Sequence, residues 1–255
     1  IDEVLGIDIG TAAIKACIFD TTKGKYTSEI VTKKVKEGTS PHKIVSRVHQ
    51  IVSREFAWRG PIGIAIPESV RRGRVLSARR LDSAWEDMDA TDLFSEVIDT
   101  DVYFLNDADA GGIAELHVGA GKNEAGVVMF LTVGTGIGSA LFIDGQLVPN
   151  TELGLIELRG ISAQDRASNK SRKEEGINRK AWSKRLEFVL NAYEQIFHPD
   201  LFIIGGQLSK NAEKTLPYIK IQTPVKPAAF ENDASMVGAA LVAADQKRDQ
   251  KVFYL

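Results

Sequence analysis

The chain has 255 residues, enough for one large domain or two lobes, and 44% of them are hydrophobic, which fills a core in either arrangement. A formal net charge of −2 provides no global field to recruit nucleic acid or a membrane surface, so partners have to be read from local sites. The single cysteine, Cys17, lies in an apolar run; it excludes an internal disulfide and a cysteine-based zinc site, and it suits a reducing, cytoplasmic setting.

Strand and helix periodicities alternate along the chain, the pattern of an α/β protein. Strands are expected at 4–10 and 14–20, flanking Gly10-Thr11, and at 26–35. A helix over 41–56 opens at Ser40-Pro41, a favourable start, and a strand at 62–66 follows it. An arginine-rich hairpin turns at Gly73, and a helix is expected over 91–99, with Thr91-Asp92 at its start. Strand 102–106 leads into helix 108–118, and strands 126–133 and 139–144 flank Gly134-Thr135-Gly136. Residues 159–180 are charge-dense and read as a surface excursion; helix 179–197, strand 201–205 and helix 235–246 complete the series. No apolar run approaches the ~20 residues of a membrane helix, and no charged-then-apolar leader precedes the first strand, so neither secretion nor membrane spanning is expected.

Aligning Gly10 with Gly134 sets VLGIDIGTAAIKACIFD against VVMFLTVGTGIGSALFID: apolar strand, Gly-Thr turn, apolar strand, closing Asp. One hairpin design occurs twice, by duplication or because such turns are common. Glycines at these turns let the backbone approach a ligand and expose N–H groups to phosphate oxygens. Gly134-Thr135-Gly136-Ile137-Gly138 fails the dinucleotide fingerprint, because Ser139 stands at the third glycine position and a strand follows. A Walker-type loop is also missing, since Leu116 stands where Gly121-Lys122 needs its first glycine.

Asp8 is a carboxylate inside an apolar strand beside a phosphate-type turn, a placement that makes chemical sense when Mg²⁺ lies between acid and phosphate; otherwise it is a solvated strand-end group. Lys15 neutralises phosphate or lies on an exposed face. Asn106-Asp107 stand where a strand turns into a helix. Such a carboxylate accepts the proton of an attacking hydroxyl in phosphoryl transfer, and the same residue types also cap helices well.

Together, GIDIGTAAIK, FLNDADAGGIAE, LTVGTGIGSALFIDGQLVPNTELG and DLFIIGGQLSK resemble the ROK family of sugar kinases, and within it the polyphosphate glucokinase branch. The resemblance implies two ribonuclease-H-like lobes of the actin/hexokinase superfamily with an interlobe cleft: 1–107, 108–234, and a C-terminal helix in 235–255 packing back on the first lobe. It further implies phosphoryl transfer from polyphosphate or ATP to a hexose 6-hydroxyl. Asp107 would be the base, with Asn106, Glu152 and Glu157 as sugar ligands and Asp8 as a holder of Mg²⁺. Gly10, Thr11, Lys15, Gly134, Thr135, Gly136, Gly205 and Gly206 would meet the donor phosphates or nucleotide. A cytoplasmic homodimer without zinc, nucleic acid or membrane partner is the matching expectation, because the family's zinc-binding cysteine cluster is absent and little chain precedes the first hairpin. His42, His49, His117 and His198 form no ligand-like cluster and read as structural.

The departures from the family pattern concern the acceptor. Leu155 replaces a histidine, Arg80 stands at a matched asparagine in ARRLDSAW, and Glu68 replaces a small residue after proline in IPES. They place glucose specificity in doubt. Arg80 is expected to meet an anionic substituent, to pair with Glu68, or to be a surface arginine, and a sugar- or nucleotide-binding sensor with weakened catalysis is the alternative function. Of two basic clusters, Arg71 to Arg80 suits a polyanion or a solvated hairpin, and Lys170 to Lys173 with Arg166 and Arg179 reads as a solvated helix face.

Overall fold

Each of the two apolar hairpins seeds a sheet. The computed structural model describes residues 2–247. In it, β1 (Glu3–Ile9) and β2 (Ala13–Asp20) pair antiparallel from Glu3↔Asp20 to Ile9↔Ile14. β3 (Lys25–Tyr26) and β4 (Val31–Lys34) both pair with β2. The expected single strand 26–35 is broken here because the Ser28 hydroxyl, not a backbone carbonyl, accepts the Ile18 N–H at 2.8 Å. α1 (Pro41–Gln50) runs on as a π-helical turn, Ile51–Glu55, before β5 (Ile62–Ile66) joins β1 in parallel. The ribbon of β6 (Val70–Arg71) and β7 (Arg74–Val75) and the short α2 (Ala90–Ser95) precede β8 (Val102–Asn106). β8 is parallel to β5, and α3 (Asp107–Val118) follows it without a loop.

The second sheet repeats the scheme. β9 (Val127–Val133) and β10 (Ile137–Ile143) form the hairpin, and β11 (Gln146–Val148) pairs with β10. A ribbon of β12 (Glu157–Leu158) and β13 (Ile161–Ser162) leads to α4 (Ala163–Ala167), α5 (Asn169–Glu174) and the long α6 (Arg179–Phe197). β14 (Leu201–Gly205) is parallel to β9, and β15 (Val225–Pro227) is parallel to β14; α7 (Ala234–Lys247) ends the described chain. The stretch 159–180 is therefore not a surface excursion. Its small and polar residues Ala163, Ala167, Ser168, Asn169 and Ser171 are buried, and the charges project from two short capped helices.

By its contacts the chain divides into two units, 2–110 with 235–247 and 111–234. The division falls inside α3, past the 107/108 boundary expected from sequence; residues 248–255 of the expected C-terminal element lie outside the described residues. In the first unit Leu5, Ile7 and Ile9 pack with Ile44, Val48, Trp85 and Phe94. On the opposite sheet face Gly6 and Gly63 are register neighbours. A Cβ on them would stand 2.1 Å from the Met236 carbonyl oxygen and 1.8 Å from that of Ala239. Bare strand backbone is thus the seat of α7, in which residues 236–244 are all buried. In the second unit Met129, Leu131 and Val133 pack against Trp182, Leu186, Val189 and Tyr193 of α6.

Candidate functional site

In the first unit, three parallel strands end together. Asp8 is level with Ala65, Ala65 with Leu105, and Ile66 with Asn106, so Gly10, Glu68 and Asp107 all follow at the carboxyl edge of one sheet. That edge is where open α/β sheets bind ligands. Two strand spacings, roughly 10 Å, separate the β1 and β8 backbones. Asp8 is half-buried and directly opposite Lys15 across the hairpin, and Gly10 closes the turn by donating to the Ala13 carbonyl at 2.9 Å. Thr11 is half-exposed in that turn.

Asn106 is buried, and its side chain is nearly spent. Its Oδ1 accepts from the N–H groups of Ala108 (2.9 Å) and Asp109 (3.1 Å), while Nδ2 donates to the Glu68 carbonyl at 3.2 Å. The carboxamide caps α3, leaving one amide hydrogen for a ligand. Capping and ligand binding, alternatives by sequence, are compatible in this geometry. The cap sets Asp107 as the first residue of α3, half-buried, in the helix turn that best tolerates negative charge.

Glu68 does not ion-pair with Arg80 as one expectation had it. The carboxylate accepts main-chain N–H groups from Arg79 (3.0 Å), Arg80 (2.6 Å) and Leu81 (2.8 Å), plus the Ser77 hydroxyl at 3.5 Å. Arg80 itself is half-buried, whereas Arg71, Arg72, Arg74 and Arg79 are exposed; Arg74 reaches Asp89 at 3.7 Å.

In the second unit the β9–β10 turn is one residue shorter than the β1–β2 turn. Thr135 is exposed at its tip, and Gly134 faces open space. The Gly134 carbonyl accepts the first N–H groups of α5, from Asn169 at 2.9 Å and Lys170 at 3.2 Å, so that helix is fastened to the glycine turn. Gly206, at φ +73°, lies against the Val133 backbone, where a Cβ would come within 2.9 Å of its nitrogen. Gly205 lies against Phe130 in the same way.

Beside this turn opens a cavity of about 390 Å³ whose walls carry Arg172, Lys173, Arg179 and Lys210. Of the cluster expected to be a solvated helix face, Arg172, Lys173 and Arg179 line this cavity, whereas Lys170 is exposed beside Glu174 and Arg166 donates to the Leu158 carbonyl at 2.7 Å. Asn169 donates to Gln207, and Arg172 Nε donates to Asn169 Oδ1 at 3.0 Å. The Arg172 guanidinium stacks 5.5 Å from the centre of the buried Trp182 ring. Trp182 and Lys210 were missed by sequence; the signal for Lys210 was its place in the GGQLSK motif.

Glu152 and Glu157 part company. Glu152 is half-buried at the start of a 3-10 turn that is pinned to β10, where Ser139 Oγ accepts the Leu153 N–H at 3.0 Å. Tyr193 donates its hydroxyl to the Leu153 carbonyl at 2.7 Å, and burial pushes that phenol well above its ordinary pKa. Glu157 is exposed on the separate β12–β13 ribbon, and Leu155 is half-buried between them in sequence.

Among the described residues no group of three or more His, Cys, Asp or Glu side chains is placed to hold a metal ion. A magnesium ion carried by donor phosphates needs only one or two protein carboxylates, and the strand-end Asp8 fits that role. Among the described residues, no helix is long and apolar enough to cross a membrane.

The sequence profile of the ROK family matches residues 4–154. A polyphosphate glucokinase of Mycobacterium tuberculosis (strain CDC 1551 / Oshkosh) is 39% identical over 239 residues, covering 93% of this chain and 90% of that protein. The crystal structure of the inorganic polyphosphate/ATP-glucomannokinase from Arthrobacter sp. strain KM matches with a TM-score of 0.92 at 37% identity, over 96% of this chain and 100% of that one. A ROK family glucokinase from Streptomyces griseus, solved with glucose and AMPPNP, shares the fold with a TM-score of 0.81 at 21% identity, over 95% of this chain and 99% of its own. The α/β sugar-kinase fold expected from sequence is borne out.

Proposed function

The chain belongs to the ROK family, and we propose that it is a sugar kinase that moves a terminal phosphoryl group from inorganic polyphosphate or ATP to the 6-hydroxyl of a hexose. The observation that carries the reading is the Asn106 cap, which sets Asp107 at the carboxyl edge of the sheet that also presents Asp8. The Asp107 carboxylate takes the proton from the sugar hydroxyl as the new O–P bond forms. The old P–O bond breaks, and ADP or a shortened polyphosphate leaves.

On the donor side the Gly134-Thr135-Gly136 turn meets the transferring phosphoryl group through the backbone N–H groups of Thr135 and Gly136, since the Gly134 N–H closes the turn by donating to the Gly136 carbonyl at 3.0 Å. Arg172, Lys173, Arg179 and Lys210 neutralise the rest of the donor chain, a reading supported by their position around one cavity. Bound Mg²⁺ would offset charge on the donor phosphates, with Asp8 holding it. A cytoplasmic homodimer is part of the same reading, and its support is the family resemblance. The relatives favour the kinase and lend nothing to the sensor alternative.

The test is turnover of Asp107→Asn. It should fall ~100-fold or more while the protein stays folded, and unchanged turnover would remove Asp107 from the chemistry. A panel of glucose, amino sugars and acidic sugars, crossed with ATP and polyphosphate, then identifies the acceptor that Arg80 and Leu155 permit.

A further inference from the structure

We infer that Glu68 is a positioning residue for the acceptor sugar, holding the 77–81 loop and Asn106 in one fixed arrangement. The inference rests on the reading of Asn106 and Asp107 as acceptor-side groups. β5 and the residues after it are buried, and Glu68 is 2% exposed. A carboxylate enters such a place only when hydrogen bonds replace its water.

Here the replacements come from one short loop. The consecutive N–H groups of Arg79, Arg80 and Leu81 converge on the two carboxylate oxygens, with the Ser77 hydroxyl at their margin. Three successive main-chain donors around one anion form a concave nest, a conformation that loses its reason when the anion is removed. Glu68 is therefore an internal ligand of this loop, and it decides where the Arg80 side chain emerges.

The same residue reaches the catalytic end through its backbone. Its carbonyl accepts from Asn106 Nδ2, and Asn106 Oδ1 caps α3, on which Asp107 is the first residue. One buried path thus runs from the Arg80 amide through Glu68 to the Asn106 cap. None of its members belongs to the donor cavity. A change at Glu68 should accordingly disturb acceptor capture and spare donor capture.

Glu68→Ala and Glu68→Gln are compared with the unaltered protein by steady-state kinetics, with glucose as acceptor and ATP or polyphosphate as donor; thermal melting checks folding. In Glu68→Ala the KM for glucose should rise about 10-fold or more, as expected for lost charge-assisted bonds, with donor KM changed less than about twofold. Glu68→Gln keeps one acceptor oxygen for the Arg80 and Leu81 amides but turns an NH₂ toward a donor; it should lie between the two and serves if the alanine variant does not fold. Sodium formate, at constant ionic strength, should lower the glucose KM of Glu68→Ala by refilling the nest. Equal shifts in donor and acceptor KM, or an unmoved glucose KM in a folded variant, overturn the inference. If Asp107→Asn is inactive while the Glu68 variants bind glucose normally, only the inference falls; if Asp107→Asn turns over normally, the underlying reading falls with it.

Discussion

The β1–β2 and β9–β10 hairpins begin sheets of one design, with an antiparallel pair followed by two parallel strands, but they seat their helices in opposite ways. Gly6 in β1 aligns with Phe130 in β9. In the first unit the glycines are on the strands, and the backbone of α7 comes down onto Gly6 and Gly63. In the second, the glycines are on the helix: Gly111 and Gly112 of α3 receive the rings of Phe130 and Phe142. Chemistry diverges at the same level, since acidic Asp8 aligns with Thr132, whose hydroxyl accepts the Gly138 N–H at 3.2 Å. The repeated hairpin thus keeps its topology while bulk and charge move between partners.

The largest expected effect breaks this comparison if it fails. Gly63→Ala sets a methyl against a helix backbone and should cost roughly 4 kcal/mol or more, or abolish folding. Gly111→Ala meets the edge of a phenyl ring, a side chain that can turn, and regains ~1 kcal/mol of helix propensity, so its net cost should stay below roughly 2 kcal/mol. Urea denaturation of the two variants measures both, and a Gly111→Ala cost equal to that of Gly63→Ala would refute the reciprocal packing.

A smaller effect sharpens the electrostatic half. Arg172→Ala and Lys210→Ala should each raise the polyphosphate KM by about 3- to 10-fold, less at high salt, and leave the glucose KM unchanged. Kinetics at two ionic strengths read this out. The smallest effect concerns the scaffold of the second unit. Glu194 accepts the Thr223 hydroxyl at 2.6 Å and the Thr223 N–H at 2.5 Å, and these bonds hold its pKa below the usual carboxylate value. Its contribution is full above the unfolded pKa of ~4.3 and is lost as pH falls through the lower folded value. Glu194→Gln should therefore cost about 1 kcal/mol at pH 7, a difference that shrinks in acid unfolding curves below about pH 4.

Much of the scaffold was legible because its signals are local. Strands 62–66, 102–106 and 201–205 coincide with β5, β8 and β14, and helix 179–197 with α6, where unbroken apolar runs or an Asn178 cap set the ends. The 26–35 break was hidden because it depends on the Ser28 hydroxyl displacing a carbonyl, a tertiary event. α4 and α5 were hidden because their buried residues are Ala, Ser and Asn, which carry no hydrophobic period. At the site, Asn106-Asp107 could be read from a strand-to-helix junction. Glu68 could not, since the donors that justify a buried carboxylate come from residues 77–81 and become visible only once the loop folds over it.

The most direct measurement is single-turnover phosphorylation of glucose by Asp107→Asn, with glucose affinity measured separately by calorimetry. The account predicts a rate lowered ~100-fold or more with either ATP or polyphosphate and a glucose affinity within a few-fold of the unaltered protein. A variant that binds glucose normally and transfers phosphoryl at the original rate would contradict it.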